Sequence, residues 1–207
     1  MKVFAFAASA LLASTLAAAA QPLLTPAELA VAQQSSTAPV IIDIREPKLY
    51  AQGHIPGALN APYGKWRGPA TNPGELPDVS KLTTLVQSLG LTPATHAVVV
   101  STGADATDFG AMARVYWTLK VLGLKDLSIV NGGTKAWVDA KLPLSTETPA
   151  AVASSYQPAM DTSLIVSRDQ VRQHIDLSNA TLVDSRPDAF YLGQTRAPAA
   201  KVSGTLP

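Results

Sequence analysis

Short apolar runs rich in β-branched residues alternate with helical patterns along this chain, and no hairpin signal joins them. Val40-Ile41-Ile42-Asp43-Ile44, Ala97 to Val100 and Leu127 to Val130 are the runs. Between them, Ser80 opens a helix over Lys81–Leu89 that Gly90 ends. Phe109 to Leu122 carries apolar residues at 112, 115, 116, 119 and 122, a helical stripe closed by Gly123. An earlier helix opens at Thr25-Pro26-Ala27-Glu28, a capping box with proline in the first turn, and runs to about Gln33. Strands without polar alternation are buried on both faces, and strands that alternate with helices pair in parallel. The pattern predicts an α/β fold: a mainly parallel sheet with helices on both faces, three layers in all.

The first twenty residues stand apart. Met1-Lys2 is followed by an apolar run to Leu16 and by Ala17 to Ala20 before Gln21-Pro22, the order of a secretory signal with cleavage expected after Ala20. The expected location is outside the cytoplasm, in a periplasm, with no membrane attachment once the signal is gone, since the run is short of the ~20 residues a span needs. Sixteen basic and fifteen acidic residues nearly cancel, and no basic strip suggests nucleic acid. Cysteine is absent, which excludes disulfides, thiolate chemistry and cysteine-based metal sites from these residues. His54, His96 and His174 lack ligand spacing and are expected at the surface or in turns. No cofactor is expected.

From Pro143 to about Asp161 the composition turns to Ser, Thr, Ala and Pro, and the expected organisation is a domain over 21–144, a linker over 145–165 and a new domain from 166. Ser167-Arg168-Asp169-Gln170 is a second capping box. Leu182-Val183-Asp184-Ser185-Arg186-Pro187 repeats Ile41-Ile42-Asp43-Ile44-Arg45-Glu46-Pro47, with Asp43/Asp184 and Arg45/Arg186 both offset by 141. Gly204-Thr205-Leu206-Pro207 echoes Gly53-His54-Ile55-Pro56 at an offset of 151. This is an internal duplication whose second copy is expected to be cut short within these 207 residues.

Asp43 to Pro47, Tyr50 to Asn60, Arg114-Val115-Tyr116-Trp117, Asn131 to Trp137 and Leu142-Pro143-Leu144 together resemble the rhodanese family, and the duplication is similar to its tandem thiosulfate and 3-mercaptopyruvate sulfurtransferases. The resemblance implies a rhodanese-like fold with the start of a second copy. It also implies a first domain that is inert and packs on the second, and a nucleophilic cysteine in that second domain. A small sulfur-containing anion is the implied substrate. Its sulfane sulfur would pass through a cysteine persulfide to a thiophilic acceptor. If the repeats keep their spacing, that cysteine falls at roughly position 250.

The loop expected to hold a thiolate in the first copy is Ser101 to Asp108. It has no thiol, Ser101 has no evident base, and Asp105 and Asp108 would repel an oxyanion. No catalytic residue is therefore expected in this chain, and a non-catalytic module that binds an anion or a protein is the alternative reading. Asp43 and Arg45 are expected to pair structurally. For Arg186 the resemblance leaves substrate contact and a structural ion pair equally open, because a guanidinium fork suits thiosulfate or carboxylate. Arg196 is a weaker substrate-binding candidate. Trp117 and Trp137 are expected to pack in the interior, and Gly132 and Gly133 to serve a tight turn. Lys65-Trp66-Arg67, in a Gly/Pro-rich loop, is read as solvated, with an anion or a partner domain as the sharper possibility.

Overall fold

A computed structural model describes residues 20–196 and 200–205. Residues 1–19, where the secretory signal is expected, and Leu206-Pro207 of the expected second copy fall outside the described residues. Strands β1 (Leu23–Leu24), β2 (Val40–Asp43), β3 (Leu59–Asn60), β4 (Ala97–Val100) and β5 (Leu127–Val130) form one parallel sheet in the order β1-β5-β4-β2-β3. The helices are α1 (Pro26–Ala32), α2 (Pro47–Gln52), α3 (Val79–Ser88), α4 (Ala106–Val121), α5 (Gly133–Asp139), α6 (Arg168–Leu177) and α7 (Asp188–Tyr191).

The twofold side-chain alternation of each strand divides the core in two. Ile42, Ala97, Val99 and Ile129 pack under α3 and α4 with Trp66, Leu82, Val115 and Leu119. Ile41, Val98, Val100 and Val130 pack on the other face with Leu29 of α1, Tyr50 of α2 and Trp137 of α5. Every residue of β4 and β5 is buried, which is why those strands read as apolar runs broken only by Ser128.

The capping boxes at Thr25/Glu28 and Ser167/Gln170 both form. Two helices start earlier than their apolar stripes: α3 at Val79, with Asp78 rather than Ser80 in the capping position, and α4 at Ala106, capped by Asp105. The short strands β1 and β3 and the helix α2 carried too little periodicity to be read from sequence. His54 is a correction: it is fully buried, stacked on the Tyr50 ring at 3.8 Å. His96 is half-buried, its imidazole held below the usual range by burial, and donates to Ser128 Oγ at 2.9 Å while that hydroxyl donates to the Gln21 carbonyl.

Residues 145–165 do not hang free. Ser145 bridges His54 through two backbone hydrogen bonds, and the His54 ring nitrogens meet the carbonyls of Tyr50 and Glu147, each at 2.9 Å. Further on, Ser154 Oγ donates to Leu91 O at 2.7 Å and Tyr156 Oη to Leu122 O at 2.6 Å, while Tyr156 and Met160 pack against the core beneath α4. Gly123 makes room for this strap, since a Cβ there would lie 2.8 Å from the Tyr156 hydroxyl. The segment is a tightly applied strap, rich in small residues because it runs over a finished surface.

Beyond it the described residues from 166 onward are thinly built. Neither α6 nor α7 buries a residue, and Leu182 to Asp184, the counterpart of β2, forms no strand. A strand needs neighbours to receive its backbone hydrogen bonds, and none of the described residues offers one. Val183 stands 84% exposed where its counterpart Ile42 is fully buried.

Candidate functional site

In open parallel sheets the chemistry gathers where the strands end at their carboxyl side. Here three loops meet at that edge: 44–46 after β2, 101–105 after β4 and 131–132 after β5. At the β2 end, Asp43 is fully buried and receives Arg45 through both carboxylate oxygens, the shortest contact being Nη2 to Oδ2 at 2.6 Å. Arg45 Nη2 also donates to the Gly53 carbonyl at 2.9 Å, which ties the end of α2 to the strand. Asn60 Nδ2 donates to the carbonyls of Asp43 and Arg45, and Tyr50 Oη to that of Ala58. The Asp–Ile–Arg and Gly–His–Ile–Pro motifs are thus the two halves of one clasp, and the expected structural pairing of Asp43 with Arg45 is what forms.

At the β4 end, the loop is locked from within. Ser101 Oγ donates to Asp108 Oδ1 at 2.5 Å, and the amides of Gly103 and Ala104 donate to Oδ2, the latter at 3.2 Å. The Ser101 amide points at the Met112 sulfur at 3.2 Å, and Asp105 caps α4 by accepting from the Asp108 amide at 2.9 Å. Amides turned toward one point at a helix start make a cradle for negative charge. The chain fills that cradle with its own Asp108 carboxylate. Asp108 does more than repel an incoming anion; it takes the anion's place. Ser101 is 5% exposed, its hydroxyl is held by Asp108, and no imidazole hydrogen-bonds to it among the described residues.

The β5 loop packs against this one backbone to backbone. Thr134 and Lys135 donate their amides to Ser101 O at 2.8 Å and Thr102 O at 2.9 Å. Gly103 and Gly133 have positive φ of 81° and 60°, and a Cβ on Gly133 would lie 2.5 Å from Gly103 N while one on Gly103 would collide with Gly132 O. Sequence reading assigned Gly132-Gly133 to a turn; it missed this contact between loops, which no local pattern announces. Outside the loops lies a cleft of about 380 Å³ lined by Arg45, Leu49, Thr102, Lys135, Val138 and Leu144.

Around Asp184 the same clasp is built on the surface. Arg186 Nε and Nη2 hold Asp184, and Nη2 donates to Gly204 O at 2.9 Å. These hydrogen bonds from Arg186 hold the Asp184 carboxyl down at about 2. Nη1 of Arg186 has no hydrogen-bond partner among the described residues. Arg196 Nη1 donates to the carbonyls of Ala200 and Lys201 at 2.9 and 2.8 Å. Both arginines therefore fasten the same segment, 200–204. Lys65, Trp66 and Arg67 part company with the solvated-loop reading: Trp66 is fully buried, its indole donating to Ala61 O at 3.1 Å, with the two cations on either side.

A five-stranded parallel sheet with helices on both faces defines an α/β domain, with an amide cradle after its central strand that Asp108 fills. The Rhodanese-like domain family matches residues 25–140, and the chain belongs to the rhodanese family. It is 33% identical over 153 residues to the thiosulfate sulfurtransferase of Cricetulus griseus, covering 73% of this chain and 50% of that protein. Its identity to the thiosulfate sulfurtransferase of Azotobacter vinelandii is 31% over 173 residues, 83% of this chain and 62% of the other. The chain spans about half the length of the mammalian relatives it matches. Among solved structures, SseA from Escherichia coli, described as a 3-mercaptopyruvate sulfotransferase, shares the fold at a TM-score of 0.69 and 22% identity, over 85% of this chain and 71% of that one. YnjE aligns at a TM-score of 0.73 with 25% identity, over 88% of this chain and 46% of that one.

Proposed function

We propose that this chain is part of an exported sulfurtransferase that moves sulfane sulfur from thiosulfate or a mercapto acid to a thiophilic acceptor. The persulfide-forming cysteine would belong to the second repeat, outside these 207 residues, with the first domain packed on that repeat. The observation that carries the reading is the clasp built twice, Asp43–Arg45–Gly53 and Asp184–Arg186–Gly204, with the first copy's cradle already occupied by Asp108. Two repeats of which one is closed divide the labour as the thiosulfate sulfurtransferase relatives would require. Arg186 would meet a sulfur anion through Nη1 while its other nitrogens keep the clasp, and Arg196 would add charge beside it. Export is supported by the position of the cut: Gln21 and Pro22 already accept hydrogen bonds from Ser128 and Ile129, so cleavage after Ala20 leaves β1 whole.

The test expresses the complete reading frame with and without Arg186→Ala and follows thiocyanate formation from thiosulfate and cyanide. The reading expects turnover whose KM for thiosulfate rises in the variant, and a persulfide on a cysteine of the second repeat. The occupied cradle favours one second reading, a non-catalytic rhodanese-like module for anions or proteins; a complete frame without a cysteine after a β-branched run would replace the first reading by this one.

A further inference from the structure

We infer that the cleft between the loop 67–78 and α3 binds a small organic anion with an apolar body, at a place that shares no residue with the sheet's carboxyl edge. The cleft holds about 650 Å³, inside the range of small-molecule sites and well beyond what a bare oxyanion fills. Lys65 and Arg67 reach it from the two sides of Trp66, whose buried indole fixes the backbone between them. Neither cation has a carboxylate within 4 Å among the described residues.

Arg67 is oriented in advance. Its Nε donates to Pro73 O at 3.0 Å and its guanidinium lies 5.2 Å from the centre of the Tyr63 ring, which leaves both Nη groups for a ligand. The loop itself is braced: Arg114 Nη2 donates to Glu75 O at 3.0 Å, and Asn72 and Glu75 donate their amides to Pro69 O and Asn72 O. Two carboxylates also line the cleft. Asp78 is offset by Lys81 at 3.3 Å, and Glu75 Oε2 accepts from Asn72 Nδ2 at 3.3 Å. Two unpaired cations therefore face one unneutralised carboxylate, and the net field is positive. Leu76, Pro77 and Leu85 supply the apolar wall. A carboxylate or sulfonate would be held by Arg67 and Lys65, with the hydrocarbon part laid on that wall.

The experiment titrates the ¹⁵N-labelled full chain with benzenesulfonate, using inorganic sulfate as the comparison, and follows amide shifts. Shifts should gather at 64–69 and 75–88, and sulfate should bind about tenfold more weakly because it has no apolar body. Lys65→Glu, an exposed side chain without a hydrogen bond in the structure, should weaken benzenesulfonate by about tenfold with the spectrum otherwise unchanged, and Arg67→Ala by as much. Lys125→Ala, elsewhere on the surface, should leave it as it was. Shifts at 101–104 or scattered over the chain, sulfate binding as tightly as benzenesulfonate, or Lys65→Glu binding like the wild type would each overturn the assignment. None of these outcomes depends on sulfur transfer, so the site stands or falls apart from the proposed activity.

Discussion

Arg186 donates through Nη2 to the carbonyl of Gly204 at 2.9 Å, the same atom-to-atom bond, at the same length, that Arg45 makes to Gly53. The two arginines are 141 residues apart and the two glycines 151, so the second copy holds ten more residues inside its clasp without changing the geometry at its ends. The environments differ. Asp43 is wholly buried, whereas the Asp184 side chain keeps 21% of its surface in solvent and that of Arg186 44%.

That difference sets the energetic expectation. Asp43→Asn leaves a nearly buried guanidinium without its counter-charge and should cost about 3–5 kcal/mol in urea unfolding. Asp184→Asn, on the surface, should leave the urea midpoint close to that of the parent protein. Equal losses at the two sites would contradict the assignment of one clasp to a core and the other to a surface.

Asp184 also has a pH signature. Its carboxyl is held at about 2, below the ordinary 3.8, first of all by the Arg186 side-chain hydrogen bonds. A depressed carboxyl contributes stability above its unfolded value and loses it as pH falls through the folded one. The segment 184–204 should therefore stay clasped down to pH 4 and loosen between 4 and 2. Carbon-13 titration of the Asp184 carboxyl checks this; a midpoint near 4 would remove the clasp from solution, and Arg186→Ala should produce that midpoint.

Asp108 should matter for stability and not for turnover. Replacing it by alanine strands the Ser101 hydroxyl and the amides of Gly103 and Ala104, a loss of about 1–3 kcal/mol read by thermal unfolding. Hydrogen exchange should quicken at 103 and 104 first. Unchanged exchange there would mean the carboxylate does not fill the cradle.

The strap predicts where the folded unit ends. Tyr156→Phe removes one hydrogen bond to Leu122 O and should cost about 1 kcal/mol, while ending the chain at 144 removes the strap altogether and should lower the unfolding midpoint further. Limited proteolysis of the parent should trim from the second repeat and stop near 165. A resistant core ending near 144 would instead make 145–165 the linker that the composition suggests.

Much of this architecture was legible because the strands announce themselves. β4 and β5 have the bounds that their sequence runs give, since both faces are buried and only Ser128 interrupts the apolar residues. Where a cap or a packed turn decides, the pattern misleads: α4 starts at the cap that Asp105 makes, not at its apolar stripe. His54 was read as a turn residue because nothing local says that a strap will close over it. Leu182-Val183-Asp184 has the same apolar-apolar-Asp pattern as Ile41-Ile42-Asp43 of β2 and still forms no strand, since pairing depends on residues far away. The site follows the same rule. The Asp–Arg pair lies two residues apart and was foreseen; the Gly103–Gly133 approach and the place of Asp108 in the cradle join loops from different strands.

Cyanolysis tests the central claim most directly. Thiocyanate production from thiosulfate and cyanide is measured for residues 21–207 beside the product of the complete reading frame. The account predicts no turnover above buffer for the first, whose cysteine-free chain closes its own cradle with Asp108, and persulfide-dependent turnover for the second. Turnover by residues 21–207 that disappears in Ser101→Ala, or its absence from the complete product, would contradict it.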